Sequence, residues 1–426
     1  MNPHKFRWPS CCSLHAMSIA SWIAGFCFLL VGCQTSSITS LGKANQRPYD
    51  FESRVLHPSI TALPAGRDSM DVYIEWNRQE CLYLRESPKD PFVSSLTLAL
   101  GDEVHTWKDT LESGANRMER SIIRMMRPDD EVDGPNRFNL AYFLFTDENR
   151  NSATEVTVPY PDNFVSVPFA ADGWPVQGGH VAAYDTIYFQ SSPGTRWQHA
   201  NAAVPQTLPA PPFSSSKDKS DTLKPVVLSE WQTDETGWSG FIVQPGVNIV
   251  GTPNAENRLD VQHLIHGTEK DHPLVRDVQL LIESSRYITT RGEYERMTSS
   301  SDSKAALDAF WLNCGNEKEA AANLIATYYG RVEEANRYFS GIQPGWRTDR
   351  GMVQIVFGIP DKIRRSMESE WWIYGEEGSA NSIVFRFLHV QHPWDPDFYV
   401  LSRSIQFRAP WDRMVTNWRN GRIKPD

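Results

Sequence analysis

Residues 345–361 read Gly345-Trp346-Arg347-Thr348-Asp349-Arg350-Gly351-Met352-Val353-Gln354-Ile355-Val356-Phe357-Gly358-Ile359-Pro360-Asp361. The first seven residues read as a turn that leads into a strand over 353–357, because Val, Ile and Phe suit a pleated, half-buried surface. Gly351 and Gly358 permit positive φ or a close approach of backbones. Pro360 and Asp361 fix a tight turn after the strand. Glu370-Trp371-Trp372-Ile373-Tyr374 and Ile383-Val384-Phe385-Arg386-Phe387 then read as two further strands. The expectation is a small antiparallel sheet packed on the helix before it. In that helix Ala321, Leu324, Ile325, Tyr328, Val332, Ala335 and Phe339 share one face. Asn316 is expected to open it and Gly341 to stop it.

Further upstream, Leu274, Val278, Leu281 and Ile282 form a shorter helical stripe, and Ser303 can cap a helix carrying Leu307, Phe310 and Trp311. Before residue 256 the period changes. Val72, Ile74 and Trp76 alternate with Asp71, Tyr73 and Glu75. Short runs rich in Val, Ile, Tyr and Phe follow at 93–100, 138–145, 154–158, 164–169, 181–189, 225–231 and 238–250. With turn residues between them, these predict an antiparallel β-sandwich. Residues 191–225, with Pro205, Pro209, Pro211 and Pro212, read as a Pro/Ser-rich insertion, since proline lacks a ladder donor. The fold class expected is α+β: an N-terminal antiparallel β-sandwich, then helices and a small antiparallel sheet.

The motif at Gly345–Asp349 resembles the GWxTD-domain family. The resemblance extends to Ala306-Leu307-Asp308-Ala309-Phe310-Trp311, to residues 328–339, and to Arg286-Tyr287-Ile288-Thr289 with Glu293-Tyr294. It covers about residues 270–410. It implies a helix-and-sheet domain, often preceded by a β-rich part, in lipoproteins mainly of Bacteroidetes-like bacteria. It implies no activity. Within the motif, Gly345, Trp346, Thr348, Asp349, Arg350, Gly351, Gly358, Pro360 and Asp361 are the residues to follow. Asp349 beside Arg350 invites a catalytic reading. The structural reading is preferred: Asp349 caps a turn, Arg350 pairs with Glu333 or Glu334, and Trp346 is a buried anchor.

The N-terminus carries Lys5 and Arg7, then an uncharged stretch over 16–31, then Leu30-Val31-Gly32-Cys33. The apolar run is short for a membrane span of about 20 residues and reads as a signal peptide. Its end resembles a bacterial lipobox, which implies cleavage before Cys33 and acylation of that residue with palmitate-type chains. Two or more chains anchor a protein stably. Gln34 follows, where an Asp would resemble an inner-membrane signal, so the expected address is the outer membrane. The domain plan is then signal peptide 1–32, lipid-anchored tether 33–69, sandwich 70–255 with its insertion at 191–225, helical segment 256–340, and GWxTD domain 341–426.

The chain of 426 residues has a net charge of −10. Cleavage before Cys33 removes two positive charges and no negative one. An acidic chain without a long basic run argues against nucleic acid. The C-terminus is the exception: six basic residues against two acidic ones lie between Arg403 and Asp426. Trp411, Val415 and Trp418 share a face there, so that helix either docks on its own domain or meets an anionic partner.

Of the mature cysteines beyond Cys33, Cys81 and Cys314 either pair or stay free. His263, His266 and His272 could in principle hold a metal if the first two lay on a helix, but no acidic or Cys ligand accompanies them, and no cofactor is expected. His389 and His392 are discounted likewise, and Ser239 lacks nucleophile-elbow spacing. Fifteen tryptophans are expected to serve packing. The reading is a lipid-anchored envelope protein with a structural or partner-binding role rather than an enzyme; the alternative is a glycan-binding or glycan-processing surface lipoprotein.

Overall fold

Side chains alternate across a strand, and that alternation builds the first part of the chain. A computed structural model describes residues 56–423 except 66–67, 112–116, 128–138, 161–166, 177–178, 205–206, 216–222, 255–258 and 380. The readings of residues 1–55, Cys33 among them, lie outside the described residues. Strands β1 (Ser59–Pro64), β2 (Ser69–Asn77) and β5 (Met118–Met126) form one antiparallel sheet in the order β1-β2-β5. A second runs β4-β3-β6-β7, from Glu103–Thr110, Val93–Leu100, Asn139–Asp147 and Ser152–Tyr160. Val72, Ile74 and Trp76 of β2 meet Leu96, Leu98, Phe143 and Phe145 in one core.

A second pair of sheets follows. One runs β13-β10-β8, from Trp238–Ile242, Thr186–Gln190 and Phe169–Ala170. The other runs β12-β11-β14-β15-β9, from Val226–Gln232, Arg196–Ala202, Gly246–Pro253, Leu259–Thr268 and His180–Ala182. Ile187, Phe189, Trp197, Phe241 and Val250 fill the core of this pair. Among the described residues all ladders are antiparallel except that of β15 with the short β9.

The C-terminal part places α1 (Val278–Ser284), α2 (Arg291–Ser299), α3 (Ser303–Gly315), α4 (Lys318–Phe339) and α5 (Asp349–Phe357) before a four-stranded sheet. That sheet runs β16-β17-β18-β19, from Lys362–Arg365, Ser369–Tyr374, Ile383–His389 and Tyr399–Leu401. Helix α6 (Arg408–Arg419) closes it. Trp311, Tyr328, Trp346, Trp372, Phe385, Phe387 and Trp418 lie in a single core. The α+β class stands as expected, with antiparallel sheets first and the helices in the second half.

Several expected boundaries move. The tether over 33–69 contains β1, and the single sandwich over 70–255 becomes two pairs of sheets with separate cores. Strand β15 occupies part of the expected helical segment 256–340. The expected insertion at 191–225 contains β11, a central strand whose Trp197, Ala200 and Ala202 are buried. The Pro-rich stretch 207–213 is docked rather than loose: Leu208 and Phe213 pack against the C-terminal core. The Ser404 N–H donates to the Pro212 carbonyl at 3.0 Å.

The expected strand at 353–357 is helical. A short apolar run does not reveal its period when every position is buried, and all nine residues of α5 are buried. The local signal that decides is Thr348, whose Oγ1 accepts the Gly351 N–H at 3.0 Å as an N-cap. Asn316 likewise does not open α4. It ends α3 in a left-handed conformation at φ 60°, its N–H bonded to the Leu312 carbonyl.

Candidate functional site

The motif is where the sequence concentrates its chemistry, and the fold draws it inward. Gly345 faces the backbone of α4 so closely that a Cβ there would overlap the Ala335 carbonyl. That contact seats Trp346 in the core, its N–H donating to Asn336 Oδ1 at 3.2 Å. The Tyr287 hydroxyl donates to the Trp346 carbonyl at 2.6 Å, and burial pushes that phenol well above its ordinary range. Gly351 packs on the Gly345 carbonyl, where a Cβ would again overlap it.

Thr348, not Asp349, is the cap. Asp349 instead reaches the last strand of the sheet. It accepts the Leu401 N–H at 2.7 Å and forms a forked pair with Arg403, whose Nη2 lies 2.6 Å from Oδ1. Both side chains are almost fully buried, at 6% and 7% exposure. Arg403 also donates to the Ala210 carbonyl at 3.1 Å, so the motif holds the Pro-rich stretch as well. Arg350 donates to the Asp397 carbonyl at 2.9 Å and lies 4.1 Å over the Tyr399 ring. Arg347 pairs with Glu283 at 2.6 Å and stacks on Trp346.

Gly358 ends α5 at φ 82°, a conformation glycine adopts without Cβ strain. Its carbonyl accepts the Tyr374 hydroxyl at 2.9 Å. Asp361 accepts the Gly375 N–H at 2.6 Å, and Pro360 is buried beside it. The motif thus joins α4, α5, the sheet and the Pro-rich stretch. Its named polar side chains bond inside the protein, although Arg347 engages Glu283 through Nη2 alone and its Nε and Nη1 are buried without a hydrogen-bond partner.

The histidines divide differently from their spacing. Both His263 and His266 lie on β15, where an i,i+3 pair points to opposite faces. His263 packs beside Phe189 at 5.5 Å between ring centroids. His266 stacks on His180 at 5.0 Å, and His180 stacks on His272 at 5.3 Å. A cavity of about 360 Å³ lies there, lined by His180, His272, Lys270, Glu269 and, from α4, Arg337. No group of three His, Cys, Asp or Glu able to hold a metal occurs among the described residues.

Burial lowers His266 to about 4 and His272 to about 3, with the His180 charge adding to each shift. Depressed values mean that the folded state favours neutral rings. Their stabilisation is complete above about pH 6.5 and is lost as pH falls toward 3, because the unfolded chain takes up protons first. Urea midpoints should therefore drop between pH 7 and pH 4, and the drop should be smaller in His272→Gln. An equal drop in the variant would remove His272 from that account.

Cys81 and Cys314 are free, and each is buried in a different core. Burial raises their thiols to about 12 and about 11. Ser239 bonds Thr233 Oγ1 at 2.9 Å within a buried hydroxyl network under Trp197. His389 bonds the Pro396 carbonyl at 2.7 Å, and His392 packs beside Phe398. None of the three forms a nucleophile–base pair in these contacts.

Sequence reasoning missed Arg403 as the partner of Asp349. A single arginine 54 positions away carries no local signal. It also missed His180, which brings His266 and His272 into one stack. No curated protein matches the chain. Residues 253–420 match the family model of the GWxTD domain, a span that begins at the end of β14 and closes after α6, and the chain is a GWxTD domain-containing protein.

Proposed function

We propose that this protein is a lipid-anchored component of a bacterial envelope, held at the outer membrane through acylated Cys33, with a structural and partner-binding role. The observation that carries the reading is the order of signals over residues 5–33: two basic residues, an uncharged apolar run, then Leu-Val-Gly-Cys. The internal engagement of the motif supports a structural role for the GWxTD domain. The β-rich part offers surface for a protein partner: Leu140 and Leu144 of β6 and Val104 of β4 are exposed on the outer face of their sheet.

Cys33→Ser should abolish incorporation of a palmitate analogue and move the protein from the detergent phase to the aqueous phase, since the mature chain holds no other apolar run of about 18 residues. A Ser variant that still partitions with detergent would overturn the anchoring reading.

A further inference from the structure

We propose that the outer face of the β8–β10–β13 sheet binds a glycan built of all-equatorial pyranoses, such as a β-1,4-linked glucose or N-acetylglucosamine polymer. The inference goes beyond the anchoring reading and does not depend on it.

Register places the residues. Tyr188 lies opposite Phe169 on one side and Gly240 on the other, and Gln190 lies opposite Trp238. Directly opposed residues share a face, so these five belong to one surface. The alternate residues Ile187, Phe189 and Phe241 point into the core. A Cβ at Gly240 would lie 2.8 Å from Tyr188 Cδ1 and 3.1 Å from Cε1. The tyrosine ring therefore fills the space a side chain at 240 would take, and it lies across the sheet instead of being displaced from it. It is 40% exposed, and Trp238 is 43% exposed.

Both rings are held. Trp238 meets Phe169 edge-on at 6.0 Å, and Phe169 leans on Tyr73 of β2 at 6.5 Å. Tyr73 in turn meets Trp174 at 5.3 Å. Beside them Arg120 lies 4.9 Å over the Trp174 ring and bonds Asp172 at 2.5 Å. A planar guanidinium and a carboxylate, both partly exposed, thus stand fixed next to the aromatic surface. At the far end Tyr184 is 70% exposed at φ 74°, a conformation that costs a bulky residue energy, and its N–H is tied to the Val243 carbonyl.

This combination selects a sugar. An all-equatorial pyranose has two faces of axial C–H bonds and a rim of hydroxyls. The C–H faces match flat aromatic rings, and the rim matches amide, guanidinium and carboxylate groups in fixed positions. Trp238 stands on the neighbouring strand, two residues along from the position opposite Tyr188, a diagonal of about 7–8 Å, so an oligosaccharide lying along that diagonal meets both rings. The exposed face of the first pair of sheets is mainly aliphatic: Val104, Leu140 and Leu144 flank a single exposed ring, Tyr142, and among the described residues no exposed tryptophan accompanies it.

The test is affinity electrophoresis and calorimetry of the full-length protein in detergent, with soluble β-1,4-glucan and N-acetylglucosamine oligomers as probes. Binding to at least one is expected. Trp238→Ala and Tyr188→Ala should each weaken it at least tenfold with the melting temperature unchanged, while Leu144→Ser and Cys33→Ser bind as the parent does. Binding to neither probe overturns the proposal. So does binding that survives both aromatic substitutions. If Trp238→Ala instead alters only the oligomeric state, the face is a contact between copies of the chain, and the glycan assignment falls.

Discussion

Truncation after residue 407 is expected to abolish the cooperative melt of the C-terminal domain. It removes α6, whose Trp418 is fully buried, stacks edge-on with Tyr328 at 5.1 Å and donates its indole N–H to the Val356 carbonyl at 3.0 Å. Trp411 is buried beside Phe357. Losing a large buried aromatic costs about 3–5 kcal/mol, and two of them approach the total of about 5–15 kcal/mol that keeps a domain folded. The truncation also strands Glu293, whose carboxyl the Arg419 guanidinium bonds and holds at about 2. Near-ultraviolet circular dichroism and a thermal melt decide the matter. An unchanged melt, with salt-sensitive binding to anionic liposomes that the truncation removes, would return the five basic residues beyond 407 to a role on an anionic surface. The packing of both tryptophans favours self-docking.

Trp346→Ala and Asp349→Ala should each destabilise the protein by about 3–5 kcal/mol, the first through a lost aromatic and the second through a broken buried ion pair. The sequence alone ranks them differently, because an aspartate capping a turn is a minor loss. The forked contact with Arg403 removes that difference: once the carboxylate is gone, a buried guanidinium has lost its counter-charge. A double-mutant cycle with Arg403→Met separates the pair from its surroundings. Recovery of stability in Asp349→Ala/Arg403→Met would place the cost on the unpaired charge. Normal melting of Asp349→Ala with lost function in cells would overturn the structural reading and mark the motif as a site.

The long helix α4 was legible because its face repeats over six turns, and β2 because its alternation is clean. Strands β4 and β5 were not. Glu103, His105 and Lys108 in β4, and Glu119, Arg120 and Arg124 in β5, give sequences that read as solvated chain. Their pairing with β3 and β2 supplies what their own composition does not. Helix α5 failed for the opposite reason: it is so thoroughly buried that its apolar run lost all periodicity. The residues of the motif were legible as a group, but their partners were not. Asp349 finds Arg403, and Trp346 finds Tyr287, through tertiary packing that leaves no mark in local spacing.

The docked Pro-rich stretch separates two notions of a module. The family model begins at residue 253, yet Leu208, Phe213 and the carbonyls of Ala210 and Pro212 are seated on the domain it describes. Ile342 and Trp394 in turn pack against a cluster containing Ala200, Val247 and Ile249 of the second pair of sheets. What is inherited as one recognisable unit is therefore not what folds as one. A gene fragment cut at the inherited boundary would encode a domain with an open apolar seat, and transplanting it onto another protein would require that the seat be filled by its new host.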